Sequence, residues 1–301
     1  MDRPRKTSHL EADACLLLTA VIWGANIPVV KFATQEQYVV PLVFNAVRMI
    51  FSALALVFLA WLESRRRPLA LKGAPWGRIL LFTLVSGLIY PLLFMFGIER
   101  TTAANTALLL SSMPMWTAVF SRFAYGEKLP GITWIGLFVT FVGTVIVVSA
   151  GGKLDFGRDR LIGNFLVLAA AMTWATATVI SRPLFQHIGP IQLACFSSVL
   201  TTPIQLLIVA NQLADSAPRL LYPEIVVCLL FSGALSTGLA YGTWNFGVQR
   251  LGGPHAAVYQ NVVTLVAVLG GWLVLKEPRL TAQWLGGGLT IAGLLIMRKG
   301  R

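Results

Sequence analysis

The side chains of this 301-residue chain that could do chemistry sit inside long apolar runs, at helical spacing. Trp23 and Asn26 are three apart and Ser86 and Tyr90 four apart. Thr237, Tyr241, Trp244 and Asn245 share one helical face, and Gln260, Asn261 and Thr264 share another. Ser111 and Trp116 stand in a fifth run, and Trp174 sits within its run much as Trp23 does. Residues i, i+3 and i+4 lie on one side of a helix, so each set draws a polar stripe on an otherwise apolar rod. The groups are amides, hydroxyls and aromatic rings without fixed charge. Such a set suits a zwitterionic or neutral amphipathic solute held by hydrogen bonds and ring contacts. It also suits helix-to-helix hydrogen bonding, or a belt of Trp and Tyr at a membrane interface. The stripes recur in runs that pair off across an internal repeat, which favours a shared cavity. The candidate solute-binding residues are therefore Trp23, Asn26, Ser86, Tyr90, Ser111, Trp174, Tyr241, Trp244, Asn245, Gln260, Asn261 and Thr264.

The titratable groups point away from catalysis. Asp2, Glu11, Asp13, Glu36, Glu63, Glu99, Glu127, Asp155, Asp159, Asp215, Glu224 and Glu277 are the only acids, and each falls in a loop or at the end of a run. His9, His187 and His255 sit at ends as well. No nucleophile stands near a base, no carboxylates pair at depth and no spacing suits a metal. The chain is expected to be no enzyme and to need no cofactor or metal. Proton coupling across a membrane usually needs an ionisable group at depth, so the expectation is facilitated movement down a gradient. Arg48 is the one charge well inside a run. It lies ~12 Å along a helix that starts near Val40, at 1.5 Å per residue. It can snorkel, bond backbone carbonyls or receive a carboxylate, and a structural role is the preferred reading. Cys15, Cys195 and Cys228 fall in separate runs and read as packing residues rather than a disulfide framework.

The elements that must position these groups are membrane spans. The chain is 56% hydrophobic and only 12% charged, with a mean hydropathy of +0.73, whereas soluble domains carry about 25% charged residues. Runs of around 20 apolar residues match a hydrocarbon core ~30 Å thick. Ten spans are expected, at about 13–32, 40–62, 77–98, 102–122, 130–149, 161–184, 190–210, 223–247, 254–275 and 281–298. The run Gly97–Gly143 recurs without a gap as Gly247–Gly293. Arg100 meets Arg250, Ala107 meets Ala257, Glu127 meets Glu277, Trp134 meets Trp284, Gly136 meets Gly286 and Thr140 meets Thr290. A repeat of this length sets the architecture. The fold class is an all-α membrane protein, with ten transmembrane helices as two inverted five-helix repeats around a central cavity, residues 1–150 and 151–301. Five spans per copy require the second to enter from the opposite side, a plan common among secondary transporters. Gly136-x3-Thr140 and Gly286-x3-Thr290 let helices approach closely and read as packing scaffold. Pro28, Pro91, Pro114 and Pro203 are expected to interrupt spans.

The net charge of +12 does not signal nucleic acid, because the cations sit at span ends and in short loops. With the N-terminus inside, fifteen Lys and Arg fall on the inner side and eight on the outer, so both termini are expected in the cytoplasm. Met1–Thr7 precedes an apolar run too long for a signal peptide and lacking a clear cleavage site. The expected partners are a small solute and the lipid bilayer, with no soluble protein partner.

Trp23-Gly24-Ala25-Asn26, the position of Arg48 and the doubled Glu-x6-Trp-x-Gly of Glu127–Gly136 and Glu277–Gly286 resemble the EamA branch of the drug/metabolite transporter superfamily. The resemblance covers almost the whole chain, and within the branch it is strongest to aromatic amino-acid exporters of the YddG type. It implies a basket of ten helices in a bacterial inner membrane and alternating exposure of a central cavity. Trp23 and Asn26 would line that cavity, and amino acids, aromatic and other neutral ones, would leave the cell through it. The rival implication is export of other small metabolites or drug-like compounds, with proton coupling as an open alternative to facilitated movement.

Overall fold

The computed structural model describes residues 6–34, 38–66, 73–98, 100, 109–110, 112–126, 129–149, 158–274 and 281–298. Among them every regular element is helical. The order is α1 (Lys6–Ala33), α2 (Pro41–Arg66), α3 (Trp76–Leu84), a π-helical stretch (Val85–Ile89), α4 (Tyr90–Ile98), α5 (Met113–Tyr125), α6 (Gly131–Ser149), α7 (Arg158–Leu184) and α8 (Pro190–Ile208). Then come α9 (Ala210–Leu220), α10 (Pro223–Leu230), a second π-helical stretch (Phe231–Leu239), α11 (Ala240–Leu251), α12 (Gly253–Val274) and α13 (Thr281–Arg298). Among the described residues, six helical stretches are long and apolar enough to cross a bilayer: His9–Val30, Pro41–Arg65, Trp76–Gly97, Phe165–Leu184, Pro190–Ile208 and Pro223–Leu251. Phe123, Phe138, Phe165 and Leu207 are among many large apolar side chains left exposed. A surface of this kind suits lipid and not water.

Several elements depart from expectation. Pro114 stands in the first turn of α5 rather than breaking a span, a position where the missing N–H costs nothing. The stretch after the seventh expected span is not open loop but α9. Its Leu213 and Leu220 pack on the core around Phe44 and Ile225, Ser216 is buried, and its other residues are exposed. Arg219 Nη1 donates to Tyr38 O at 3.1 Å, pinning this amphipathic helix to the entry of α2.

Helix contacts recur in matched form. α6 and α13 run antiparallel and touch backbone to backbone. A Cβ on Gly143 would stand 2.6 Å from Thr290 N, and one on Gly293 would stand 2.5 Å from Thr140 N. Thr140 and Thr290 turn their hydroxyls back to Gly136 O and Gly286 O, at 2.7 and 2.9 Å, so neither hydroxyl is left an orphan at the seam. Gly97 of α4 lies against Val167 of α7, and Gly247 of α11 lies against Leu16 of α1. α2 and α8 run antiparallel along their length. Asn45 meets Gln205, Thr202 bonds Met49 O and Ser198 meets Ser52. At the far end Glu63 Oε2 accepts Gln192 N at 2.9 Å, capping the first turn of α8 where amides are otherwise orphaned and a negative charge is favoured.

Candidate functional site

The centre is organised by the two π-helical stretches. Pro91 has no N–H to give to Gly87 O, four residues before it. The helix widens there, and Gln205 Nε2 donates to Gly87 O at 2.9 Å instead. In the second stretch Trp23 Nε1 donates to Ser236 O at 2.8 Å, and Thr237 turns back to Ser232 O at 2.7 Å. Such stretches gather at functional sites because they free backbone groups for outside partners.

Between them five rings meet. Trp174 is the hub, with centroids 4.9 Å from Tyr90, 5.3 Å from Trp23, and 5.9 Å from both Tyr241 and Trp244. Trp23 and Trp244 are 5.5 Å apart. These rings come from α1, α4, α7 and α11, and each such pair contributes ~0.5–1.5 kcal/mol beyond its burial. Ser86 Oγ and Ser197 Oγ sit 3.2 Å apart below them. The Tyr241 hydroxyl lies beside both serines yet forms no hydrogen bond of ordinary geometry.

The expected central cavity is nearly filled. Phe82, Trp174, Ala177, Thr178, Tyr241, Trp244 and Asn245 enclose only about 10 Å³, room for about one water. This conformation therefore encloses no amino-acid-sized space at the rings. A larger opening of about 330 Å³ lies at the end of α5 and α7, lined by Tyr125, Arg182, Pro183 and Gln186. Arg182 sits 5.9 Å over the Tyr125 ring, whose hydroxyl donates to Val179 O at 2.8 Å. Thr178, which lines the small cavity, is half-way between this opening and Trp174 along α7.

Arg48 takes a structural role of a kind the spacing did not specify. Its Nε and Nη2 donate to Asn45 Oδ1 at 3.0 and 2.7 Å, and its Nη1 donates to Ser232 Oγ at 2.8 Å. Asn45 Nδ2 passes the chain on to Gln205 Oε1 at 2.9 Å, and Gln205 reaches Gly87 O. One cation thus joins α2, α8 and both π-helical stretches. Asn45, Gln205, Ser232 and Ser197 are the residues that motif reading missed. The signal was present as Asn45-x2-Arg48 on α2 and as Ser198, Thr201, Thr202 and Gln205 on one face of α8.

Of the sequence-derived candidates, Trp23, Ser86, Tyr90, Trp174, Tyr241, Trp244 and Asn245 come together at the centre. Asn26, Gln260 and Thr264 are half-buried on α1 and α12 and do not line the small cavity. Asn26 Oδ1 and Gln260 Nε2 are buried without a partner among the described residues. Trp116 turns to Ser112, the N-cap of its own helix, at 3.1 Å. Ser111 and the Asn261 side chain lie outside the described residues, as do Glu127 and Glu277.

Asp13 is not at a helix end: α1 begins at Lys6, so Asp13 lies two turns inside it and is 7% exposed. Its Oδ1 accepts the Tyr259 hydroxyl of α12 at 2.6 Å. His9, one turn earlier, buries Nδ1 without a partner among the described residues. Apolar patterning placed the span start at the first uninterrupted apolar residues, whereas the helix carries a polar first turn and a buried acid paired across the fold. Tyr259→Phe, which removes this partner from a buried carboxylate, is expected to destabilise the protein by about 1.5–3 kcal/mol. A lowered melting temperature of the purified variant checks it, and a parental value would refute the pairing.

Residues 10–149 and again 161–299 match the EamA-like transporter family. The uncharacterized transporter YoaV of Bacillus subtilis is 25% identical over 282 residues, 93% of this chain and 94% of that protein. The probable amino-acid metabolite efflux pump of Escherichia coli is 24% identical over 289 residues, 93% of this chain and 92% of the pump. A crystal structure at 18% identity superposes with a TM-score of 0.78, covering 98% of this chain and 99% of its own, a likeness of fold. With two matches that together span nearly all of its length and apolar helices made to cross a bilayer, this chain belongs to the EamA-like transporter family.

Proposed function

We propose that the chain exports amino acids, aromatic and other neutral ones, across the bacterial inner membrane by alternating access and without covalent chemistry. The observation that carries this reading is the ring cluster around Trp174, at which Trp174, Tyr241 and Asn245 leave polar atoms unpartnered. Aromatic faces with orphan hydrogen-bonding groups suit a small amphipathic solute. The name of the Escherichia coli relative, an amino-acid metabolite efflux pump, agrees with it. In this reading ten spans form two inverted five-helix repeats, residues 1–150 and 151–301. The reciprocal contacts of Gly143 with Thr290 and Gly293 with Thr140, and of Gly97 with Val167 and Gly247 with Leu16, support that arrangement. Both termini lie in the cytoplasm, so the opening at Tyr125 and Arg182 faces the cytoplasm. It is eight residues along α7 from Trp174, ~12 Å at helical rise.

Transport is facilitated rather than obligatorily proton-driven. A proton-coupled exporter of other metabolites is the second reading, and the buried Asp13–Tyr259 pair favours it. Uptake of labelled phenylalanine and threonine into liposomes holding only the purified protein, with and without a pH gradient, separates the two. Uptake without a gradient, reduced at least tenfold by Trp23→Ala with Tyr241→Ala, is the expected outcome. Each of those rings anchors several pair contacts, and Trp23 also holds Ser236 O. Absence of amino-acid uptake under both conditions would overturn the substrate.

A further inference from the structure

We propose that the central site selects solutes carrying a single carboxylate, received by Trp174 Nε1–H, Tyr241 O–H and Asn245 Nδ2–H, with Arg48 balancing its charge. The inference rests on the reading of the ring cluster as the transport site. Three of the seven residues lining the 10 Å³ cavity bury a polar atom with no partner among the described residues: Trp174 Nε1, Tyr241 Oη and Asn245 Nδ2. Indole and amide nitrogens only donate, and a phenol can donate. Residues that line the cavity thus carry buried donors that lack acceptors. Leaving buried donors unpaired is costly, so the arrangement favours whatever supplies acceptors there. The one water that fits has two acceptor sites, too few for three donors, whereas a carboxylate offers about four on two oxygens.

Charge narrows the class further. All of the hydrogen bonds of Arg48 go to neutral acceptors, Asn45 Oδ1 and Ser232 Oγ, and it forms no ion pair among the described residues. Arg48 is half-buried, and a cation within a membrane span without a counter-charge favours an anion nearby. Tyr90 links the two parts: its ring lies 4.9 Å from that of Trp174, and it stands close enough to Arg48 to interact with its charge. No lining residue of the cavity is cationic, so a dianionic phosphate, which needs more positive charge, is disfavoured against a monoanion.

The test is quenching of intrinsic tryptophan fluorescence in the purified full-length protein by 3-phenylpropionate and by 3-phenylpropanamide. The two probes share ring and length and differ at the acid. The acid is expected to bind at least about tenfold more tightly than the amide, and Tyr241→Phe, which removes only a hydroxyl, to narrow that gap to about threefold or less. Asn245→Asp replaces a donor by an anion of the same shape and is expected to abolish binding of the acid. Both variants are first shown to elute and melt as the parent does, and Tyr241→Phe alone suffices should Asn245→Asp not fold. Equal affinity for acid and amide, or no binding of either, overturns the proposal. Preferential binding of the acid by a protein that moves no amino acid in liposomes would sink amino-acid export and leave the carboxylate site standing. Transport of phenylalanine competed equally by its amide would sink the carboxylate site alone.

Discussion

Arg48→Ala is expected to lower the stability of the protein by about 2–5 kcal/mol and to abolish transport. The guanidinium supplies two donors to Asn45 Oδ1 and one to Ser232 Oγ. Its removal leaves both acceptors in the interior, and unsatisfied buried groups cost about 1–3 kcal/mol each. The loss also propagates. Asn45, no longer held, is free to release Gln205, and Gln205 is the donor that occupies Gly87 O where Pro91 cannot. The π-helical stretch that sets the position of Tyr90 thus depends on a side chain of α2 that acts through Asn45 and Gln205. Even half-burial of the cation is unfavourable, and replacing such a charge by an apolar group of similar volume can recover stability. Arg48→Met is therefore expected to melt closer to the parent than Arg48→Ala, while transporting no better. Arg48→Lys keeps the charge but not the planar fork, and is expected to fall between parent and Ala in stability. Thermal unfolding of the three purified variants, followed by the liposome assay, checks the order. An alanine variant that melts with the parent would remove the network from any account of this fold.

The apolar runs were legible because a helix that crosses lipid must be apolar along its whole length, and α2, α8 and the stretch from Trp76 to Gly97 fall where those runs predict. The sequence also repeats Gly, Thr and Trp at fixed spacing, and the family match falls twice, on residues 10–149 and 161–299. What lay outside its reach depended on partners far along the chain. Asn45 and Gln205 are 160 residues apart, and Arg48 and Ser232 are 184 apart. No spacing rule connects such positions. A polar stripe marks a helical face but not the rotation of that face against its neighbours. Trp116 and Trp174 both looked like members of a stripe, yet Trp116 bonds Ser112, the N-cap of its own helix, while Trp174 touches four rings. Asp13 was obscured for another reason. Hydropathy finds where the lipid-facing part of a helix begins, and α1 extends two turns beyond that point to bury an acid against Tyr259.

Gly143→Ala and Gly293→Ala are each expected to destabilise the protein by about 1–3 kcal/mol, and by similar amounts. At Gly143 an added Cβ would stand 2.6 Å from Thr290 N and 2.7 Å from Gly286 O; at Gly293 it would stand 2.5 Å from Thr140 N and 2.8 Å from Gly136 O. These neighbours are backbone atoms, which cannot swing aside as the tip of a flexible side chain can. The helices must separate, and separation forfeits dispersion contacts along the whole α6–α13 seam. In lipid those contacts are the main force holding two helices together, since burial from water no longer contributes. Two substitutions at the same seam share one relaxation, so the double variant is expected to lose less than the sum of the singles. Gly288, on the same helix as Gly293, provides the control: nothing stands within 4 Å of a Cβ there. Gly288→Ala removes backbone entropy from the unfolded chain without a clash, and is expected to be neutral or stabilising by up to about 1 kcal/mol. Melting temperatures of the four purified variants decide it. A Gly143→Ala protein as stable as Gly288→Ala would mean that α6 and α13 do not meet at this distance, and unequal losses at Gly143 and Gly293 would deny the seam its reciprocity.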